Sequence, residues 1–195
     1  MLSINDLKKD IIFLWEGKPH KVLGVQHKKM ARQGATVEAK FRNLISGATI
    51  TRTFFPSEKL EEAAVEKKEL VFLYTHKGEY CFVNPNDKSQ RSVLGADEVG
   101  NAALYLKPNL EVMAEYFDGT IIGIIVPIKI EAKVVEAPPN VKGDTASGGS
   151  KPVKIETGAT VQAPLFISVG DVIRVNTQKG EYTERVSKNS NGYII

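Results

Sequence analysis

One unit recurs along this chain: a β-rich run, a turn carrying glycine, and a second β-rich run. It appears as IIFLWEGKPHKVLGV, LVFLYTHKGEYCFVN, EVMAEYFDGTIIGIIVP and DVIRVNTQKGEYTERV. Each predicts a hairpin in which Gly17, Gly78, Gly119 or Gly180 takes the φ > 0 position. ATVEAKFRNLISGATITRTF adds a further pair turning at Ser46-Gly47. Long helical patterns are scarce, and short strands with turn signals at this density specify small barrels or sandwiches. Breaks fall near SEKLEEAAVEKKE, expected to be a short helical turn or a linker, and near Pro127, where a strand must end. GADEVGNAALYL is the best candidate for a short helix. Three segments of about 60 residues follow, 1–64, 65–127 and 128–187, each the size of one small barrel. Residues 188–195 are expected to be a disordered tail. Barrels this small are filled by their own side chains, so function is expected on loops and outer faces.

Charge points to one such loop. The net charge of +3 excludes a polybasic nucleic-acid coat. Its distribution is uneven: 11 Lys+Arg against 7 Asp+Glu in 1–64, 6 against 9 in 65–127, and 9 against 7 in 128–195. Basic ends flanking an acidic middle suggest that the ends engage a polyanion. HKKMARQGATVEAKF concentrates the effect, with Lys28, Lys29 and Arg32 and no acid until Glu38. A hairpin tip ordinarily carries Asn, Asp, Gly or Pro and charges of both signs. Gly34 can make the turn and hold Arg32 outward, and a guanidinium suits both phosphate and base stacking. A basic arm on a rigid hairpin is a reasonable RNA probe.

Enzyme chemistry finds little support. His20, His27 and His76 have no metal-ligand spacing and are expected as surface or strand-end histidines; no CxxC, HExxH or GxSxG motif occurs. KGDTASGGSKP lacks the Gly-Lys-Ser/Thr order of a Walker loop, which leaves two readings. It is either a flexible hairpin loop or a loop whose Thr145, Ser147 and backbone N–H groups contact a phosphodiester or base edge. Lys151 is expected to be exposed and able to reach a phosphate. Trp15, Phe41 and Phe166 are expected in barrel cores rather than under bases, whereas Tyr182 and Arg185 are open between core and RNA contact. Cys81 reads as a buried structural thiol. The N-terminus has no signal-peptide core, and TIIGIIVPI is far too short to span a bilayer, so a cytoplasmic protein without membrane contact is expected. No interface signature stands out, and a monomer is expected.

These residues resemble the bacterial elongation factor P family over nearly the whole chain, excluding SKNSNGYII. The first segment matches in the basic hairpin and in KFRNLISGATITRTF, and ELVFLYTHKGEYCFVN is similar to the opening of the family's second domain. The most specific match is PPNVKGDTASGGSKPVKIETGATVQAPLFISVGDVIRVNTQKGEYTERV. It combines Gly-Asp-Thr, Gly-Gly-x-Lys-Pro, Thr-Gly-Ala, Pro-Leu-Phe and Gly-Glu-Tyr in family order and spacing. Val153 and Ala163 stand where Ala and Val are common, both swaps keeping apolar character.

The resemblance implies an all-β protein of three β-barrel domains in an L shape, an SH3-like (KOW-type) domain followed by two OB folds. It implies a translation factor that needs no cofactor and is not an enzyme, with both ribosomal subunits and peptidyl-tRNA as partners. Such a factor enters the ribosome between the peptidyl-tRNA and exit sites when synthesis stalls on consecutive prolines. The tip, with Arg32 supported by Lys28, Lys29, Met30, Ala31, Gln33 and Gly34, then reaches the CCA end of peptidyl-tRNA. The loop carrying Gly143, Asp144 and Thr145, with Lys151 behind it, lies near the small subunit and the exit-site codon. Where the family tip usually reads Pro-Gly-Lys/Arg-Gly, this chain has Met30, Ala31, Arg32 and Gln33. Arg32 excludes lysine-specific modification. Two states stay open for it, rhamnosylated by a modifying enzyme or unmodified. The alternative function is a general single-stranded RNA-binding OB protein without a ribosomal role. The acidic second segment and an aromatic content of only 8% count against it, because such proteins stack bases on aromatic platforms in a basic groove.

Overall fold

The computed structural model describes residues 1–30, 34–139 and 149–187, with the backbone path alone at 29, 30, 34 and 35. A six-stranded sheet has the order β1-β6-β2-β3-β4-β5. Its strands are β1 (Leu2–Ser3), β2 (Ile12–Trp15), β3 (Lys18–Met30), β4 (Gly34–Asn43), β5 (Thr49–Phe54) and β6 (Lys59–Glu62). A five-stranded sheet follows, built from β7 (Glu66–His76), β8 (Glu79–Asn84), β9 (Asp87–Leu94), β10 (Glu111–Phe117) and β11 (Thr120–Ile125). Its order is β11-β10-β7-β8-β9. The last five strands are β12 (Lys129–Glu136), β13 (Ser150–Ile155), β14 (Thr160–Pro164), β15 (Val172–Asn176) and β16 (Glu181–Ser187). They form a closed barrel in the order β12-β13-β14-β16-β15. The chain packs as two compact units, 1–68 with 114–124 and 69–113 with 125–195.

The turns explain the strand pattern. Glu16-Gly17, Lys77-Gly78 and Asp118-Gly119 all have φ > 0 at both central positions, the hairpin geometry that matches strand twist. Two others use asparagine. Asn43 Oδ1 accepts the N–H groups of Ile45 (2.8 Å) and Ser46 (2.9 Å), while the Gly47 N–H reaches the Asn43 carbonyl (2.9 Å). Asn176 repeats the arrangement on Gln178, Lys179 and Gly180. Asn43 is buried, so Asn43→Ala strands two turn N–H groups and is expected to cost about 1–3 kcal/mol. The fluorescence of Trp15, the only tryptophan, would read this as an earlier urea midpoint for the first sheet.

Three expectations change. SEKLEEAAVEKKE is no helix: it contributes β6 and the start of β7, with only 63–65 left as a short linker between them, while Leu60 points inward and pairs with Leu2, and Glu61 and Glu62 pair with β2. Sheet partners on both sides override the helical preference of its Glu, Ala and Lys residues. His20 is buried rather than superficial, packed on Phe13 and Phe41 with Nδ1 2.9 Å from the Lys18 carbonyl. Phe166 is 56% exposed. It lies in the turn between β14 and β15, where the neighbouring Ile167 takes the inward place. GADEVGNAALYL does give a short helix, α1 (Ala96–Val99), running into a 3-10 turn over Gly100–Tyr105. Cys81 is a buried free thiol.

The first unit is held by Ile4, Leu7, Phe13, Val22, Val37, Ala39, Phe41, Phe54 and Leu60. Phe41 is its hub, with ring centroids at 5.2 Å from Phe13, 5.9 Å from Phe54, 6.4 Å from Trp15 and 5.4 Å from His20. Arg52 lies on the outer side of Trp15, its guanidinium 4.1 Å from the ring centroid, and pairs with Glu58 at 3.1 Å. The closed barrel has a separate core of alternating inward residues, among them Ile130, Ala132, Val134, Val153, Ile155, Ile173 and Val175.

Candidate functional site

The basic hairpin is built outward from that first core. β3 and β4 pair continuously from His20↔Asn43 to Met30↔Gly34, except for a bulge at Leu23 between Val22 and Gly24. β5 supports β4 only as far as Val37↔Phe54. Beyond Val37 the two strands run on as a ribbon whose pairs are Lys28↔Thr36, Lys29↔Ala35 and Met30↔Gly34, projecting about 10 Å. A free two-stranded ribbon is marginal in water, so its order comes from its base. There Thr36 and Val37 are buried, and Val37, Ala39 and Phe41 feed directly into the core.

The ribbon separates the predicted tip residues. Lys28 is not a free cation: its ammonium meets Glu38 at 2.7 Å on the ribbon's face. Both groups are partly exposed, and a pair of this kind is worth only about 0.2–1 kcal/mol, so a phosphate can displace it. Lys29, Met30 and Gly34 lie at the last two register positions. Ala31, Arg32 and Gln33, which link them, lie outside the described residues.

The second candidate region is at the closed barrel. Gly143, Asp144 and Thr145 lie outside the described residues. Lys151 contradicts its expectation: it is only 7% exposed, and its ammonium donates to the Pro138 carbonyl at 3.0 Å. The cause is strand alternation, which turns Lys151, Val153 and Ile155 inward together. Tyr182 is half-buried and packs against the barrel core. Arg185 is exposed, its guanidinium 5.2 Å from the Phe166 ring centroid and 3.7 Å from Asp171 Oδ2. Asp171 is almost fully buried and accepts the Ser168 N–H at 3.0 Å. It went unread in the sequence, although Ser168-Val-Gly-Asp171 is the composition of a side-chain-closed turn.

Two charged groups have their titration shifted by neighbouring side chains. Arg174 bridges Glu131 (2.6 Å) and Glu184, and hydrogen bonds to Glu131 and then Glu184 raise its pKa. In the five-stranded sheet, the Ser89 hydroxyl and N–H, helped by Gln90, hold the Asp87 carboxyl below the ordinary aspartate range. A depressed carboxylate stabilises the fold above its unfolded pKa and loses that contribution as pH falls through the folded value. Asp87 remains partly exposed, which keeps that contribution small. Among the described residues no group of three His, Cys, Asp or Glu could hold a metal ion. No helix among them is long and apolar enough to cross a membrane.

Family comparison follows the same three-part division of strands. Residues 3–60 match the elongation factor P KOW-like domain, 65–124 its OB domain, and 130–185 the elongation factor P C-terminal domain. The chain is 42% identical over 185 residues to elongation factor P of Symbiobacterium thermophilum, covering 95% of this chain and all of the relative. Elongation factor P of Coprothermobacter proteolyticus is 42% identical over 186 residues, with the same coverage. That of Thermus thermophilus is 42% identical over 185 residues, again at 95% and 100%. A solved translation initiation factor 5A from Methanococcus jannaschii covers 64% of this chain and 94% of its own at 15% identity and a TM-score of 0.45, too distant to bear on the argument. With its three sheets matched one by one and its relatives covered over their whole length, the chain belongs to the elongation factor P family of translation elongation factors, which are not enzymes.

Proposed function

We propose that this chain binds the ribosome between the peptidyl-tRNA and exit sites, touches both subunits, and restores peptide-bond formation at consecutive prolines. Its working parts are an SH3-like domain over 1–64 and two OB domains over 65–127 and 128–187. Arg32 is carried to the CCA end of peptidyl-tRNA, with Lys28, Lys29, Met30, Ala31, Gln33 and Gly34 around it. Gly143, Asp144 and Thr145 face the small subunit and the exit-site codon, and Arg185 with Tyr182 adds RNA contact on the barrel. The protein acts as a cytoplasmic monomer.

The observation that best supports this reading is the ribbon beyond Val37, whose two strands stay paired past the last β5 contact as far as Met30 and Gly34, the residues that flank Ala31, Arg32 and Gln33 in the sequence. Nothing else is required of the chain chemically. Proline's ring fixes φ and leaves a poorly placed nucleophile. A cation that orders the tRNA end supplies orientation, an effect that reaches several powers of ten in rate. A guanidinium does this by hydrogen-bonding phosphate or stacking on a base, while the ribosome performs the chemistry.

The test is hexapeptide yield on a Pro-Pro-Pro message in a reconstituted bacterial system, using protein made without modifying enzymes. Rescue confined to the proline message supports the reading and makes plain arginine sufficient. Failure of this protein and of protein from its native host would refute it. One observation favours a general RNA-binding role, the exposed Phe166 beneath Arg185. Competition between free single-stranded RNA and ribosomes with an empty exit site separates the two, with ribosomes expected to win.

A further inference from the structure

Strand β13 puts a lysine where a barrel needs an apolar residue. Lys151 shares the inward face with Val153 and Ile155, which are fully buried. Its register partner on β14 is Ala163, also buried, whose small side chain leaves space for the lysine stem. An ammonium is costly to bury unless it is hydrogen-bonded, and a long stem can carry it to the rim of an apolar space. Here the ammonium reaches the carbonyl of Pro138 at 3.0 Å. Pro138 lies two residues past the end of β12, while Lys151 is the second residue of β13. The hydrogen bond therefore joins the point where the chain leaves the barrel to the point where it returns. Just outside, Lys154 and Glu136 pair at 2.9 Å across the same two strands, on the exposed face.

We propose that Lys151 is a positioning residue and not a phosphate ligand. Its ammonium clasps the two roots of the segment 139–149, holding the exit from β12 to the start of β13. A phosphate ligand would keep its ammonium in water, as Lys154 does. The structural part stands on the barrel alone, and the consequence for ribosome binding rests on the function proposed above.

Brief acetylation of the unaltered protein with an N-hydroxysuccinimide ester, read by peptide mass spectrometry, tests the clasp directly. Lys154 is expected to react at least about tenfold faster than Lys151, because the latter reacts only through local opening. Equal rates would overturn the proposal, whether or not any variant folds. In Lys151→Met, amide exchange at the described roots, Ala137, Gly149 and Ser150, is expected to rise about tenfold or more while β14 and β15 keep their protection. Ribosome affinity should fall with an unchanged slope against log salt. A slope smaller by about one, with exchange unaltered, would make Lys151 a phosphate contact and end the proposal. Failure of the unaltered protein to bind ribosomes would count against the proposed function and leave the acetylation and exchange results to decide the clasp.

Discussion

Arg32→Ala is expected to lower proline-specific rescue roughly a hundredfold in rate while leaving synthesis on a proline-free message unchanged. The size follows from what the side chain is asked to do. Orientation is lost steeply with misplacement, and a methyl group offers no charge or donor to a tRNA end. Ribosome affinity should fall much less, since contacts from the barrel and the rest of the ribbon remain. Single-turnover dipeptide and tripeptide kinetics at saturating factor separate the two effects. Arg32→Lys keeps the charge and loses the planar fork, so an intermediate rate is expected if bidentate or stacking contact matters. A variant with alanine that rescues as well as the parent would remove Arg32 from the mechanism.

Phe41→Ala is expected to destabilise the first unit by about 3–5 kcal/mol, the cost of a large buried aromatic replaced by a void. Phe41 is fully buried and touches Phe13, Trp15, His20 and Phe54 at once, so no single neighbour can collapse into the space. Trp15 lies on its edge and reports the loss as an earlier fluorescence transition in urea. Signals from the closed barrel, which has its own core, should move far less. Rescue activity should fail as well, because Phe41 and Val37 on β4 anchor the strand that becomes the ribbon. A variant that keeps its Trp15 midpoint would show that the aromatic cluster is not what holds this sheet.

Much of this was legible because it is local. A β-turn is decided by four residues, so Gly17, Gly78 and Gly119 mark their hairpins in the sequence, and their positive φ values follow. Strand alternation has a period of two residues, which made the all-β class readable before any contact was known. The family motifs, running from Gly-Asp-Thr to Gly-Glu-Tyr, are likewise strings of neighbouring residues.

The misreadings share one cause, which is that the partner lies elsewhere in the chain. SEKLEEAAVEKKE has helical composition, yet its Lys59–Glu62 stretch becomes strand because Leu2 and β2 wait on either side of it. Phe166 has the composition of core, yet Ile167 holds the inward place. Lys151 looks like an exposed phosphate ligand, and barrel closure turns it inward onto Pro138. By itself, then, the sequence determined the turns, the strand class, the basic hairpin and the family, since each depends on residues adjacent along the chain. Only the tertiary structure decided which side chains face water, because burial and charge pairing depend on strands that meet across many residues.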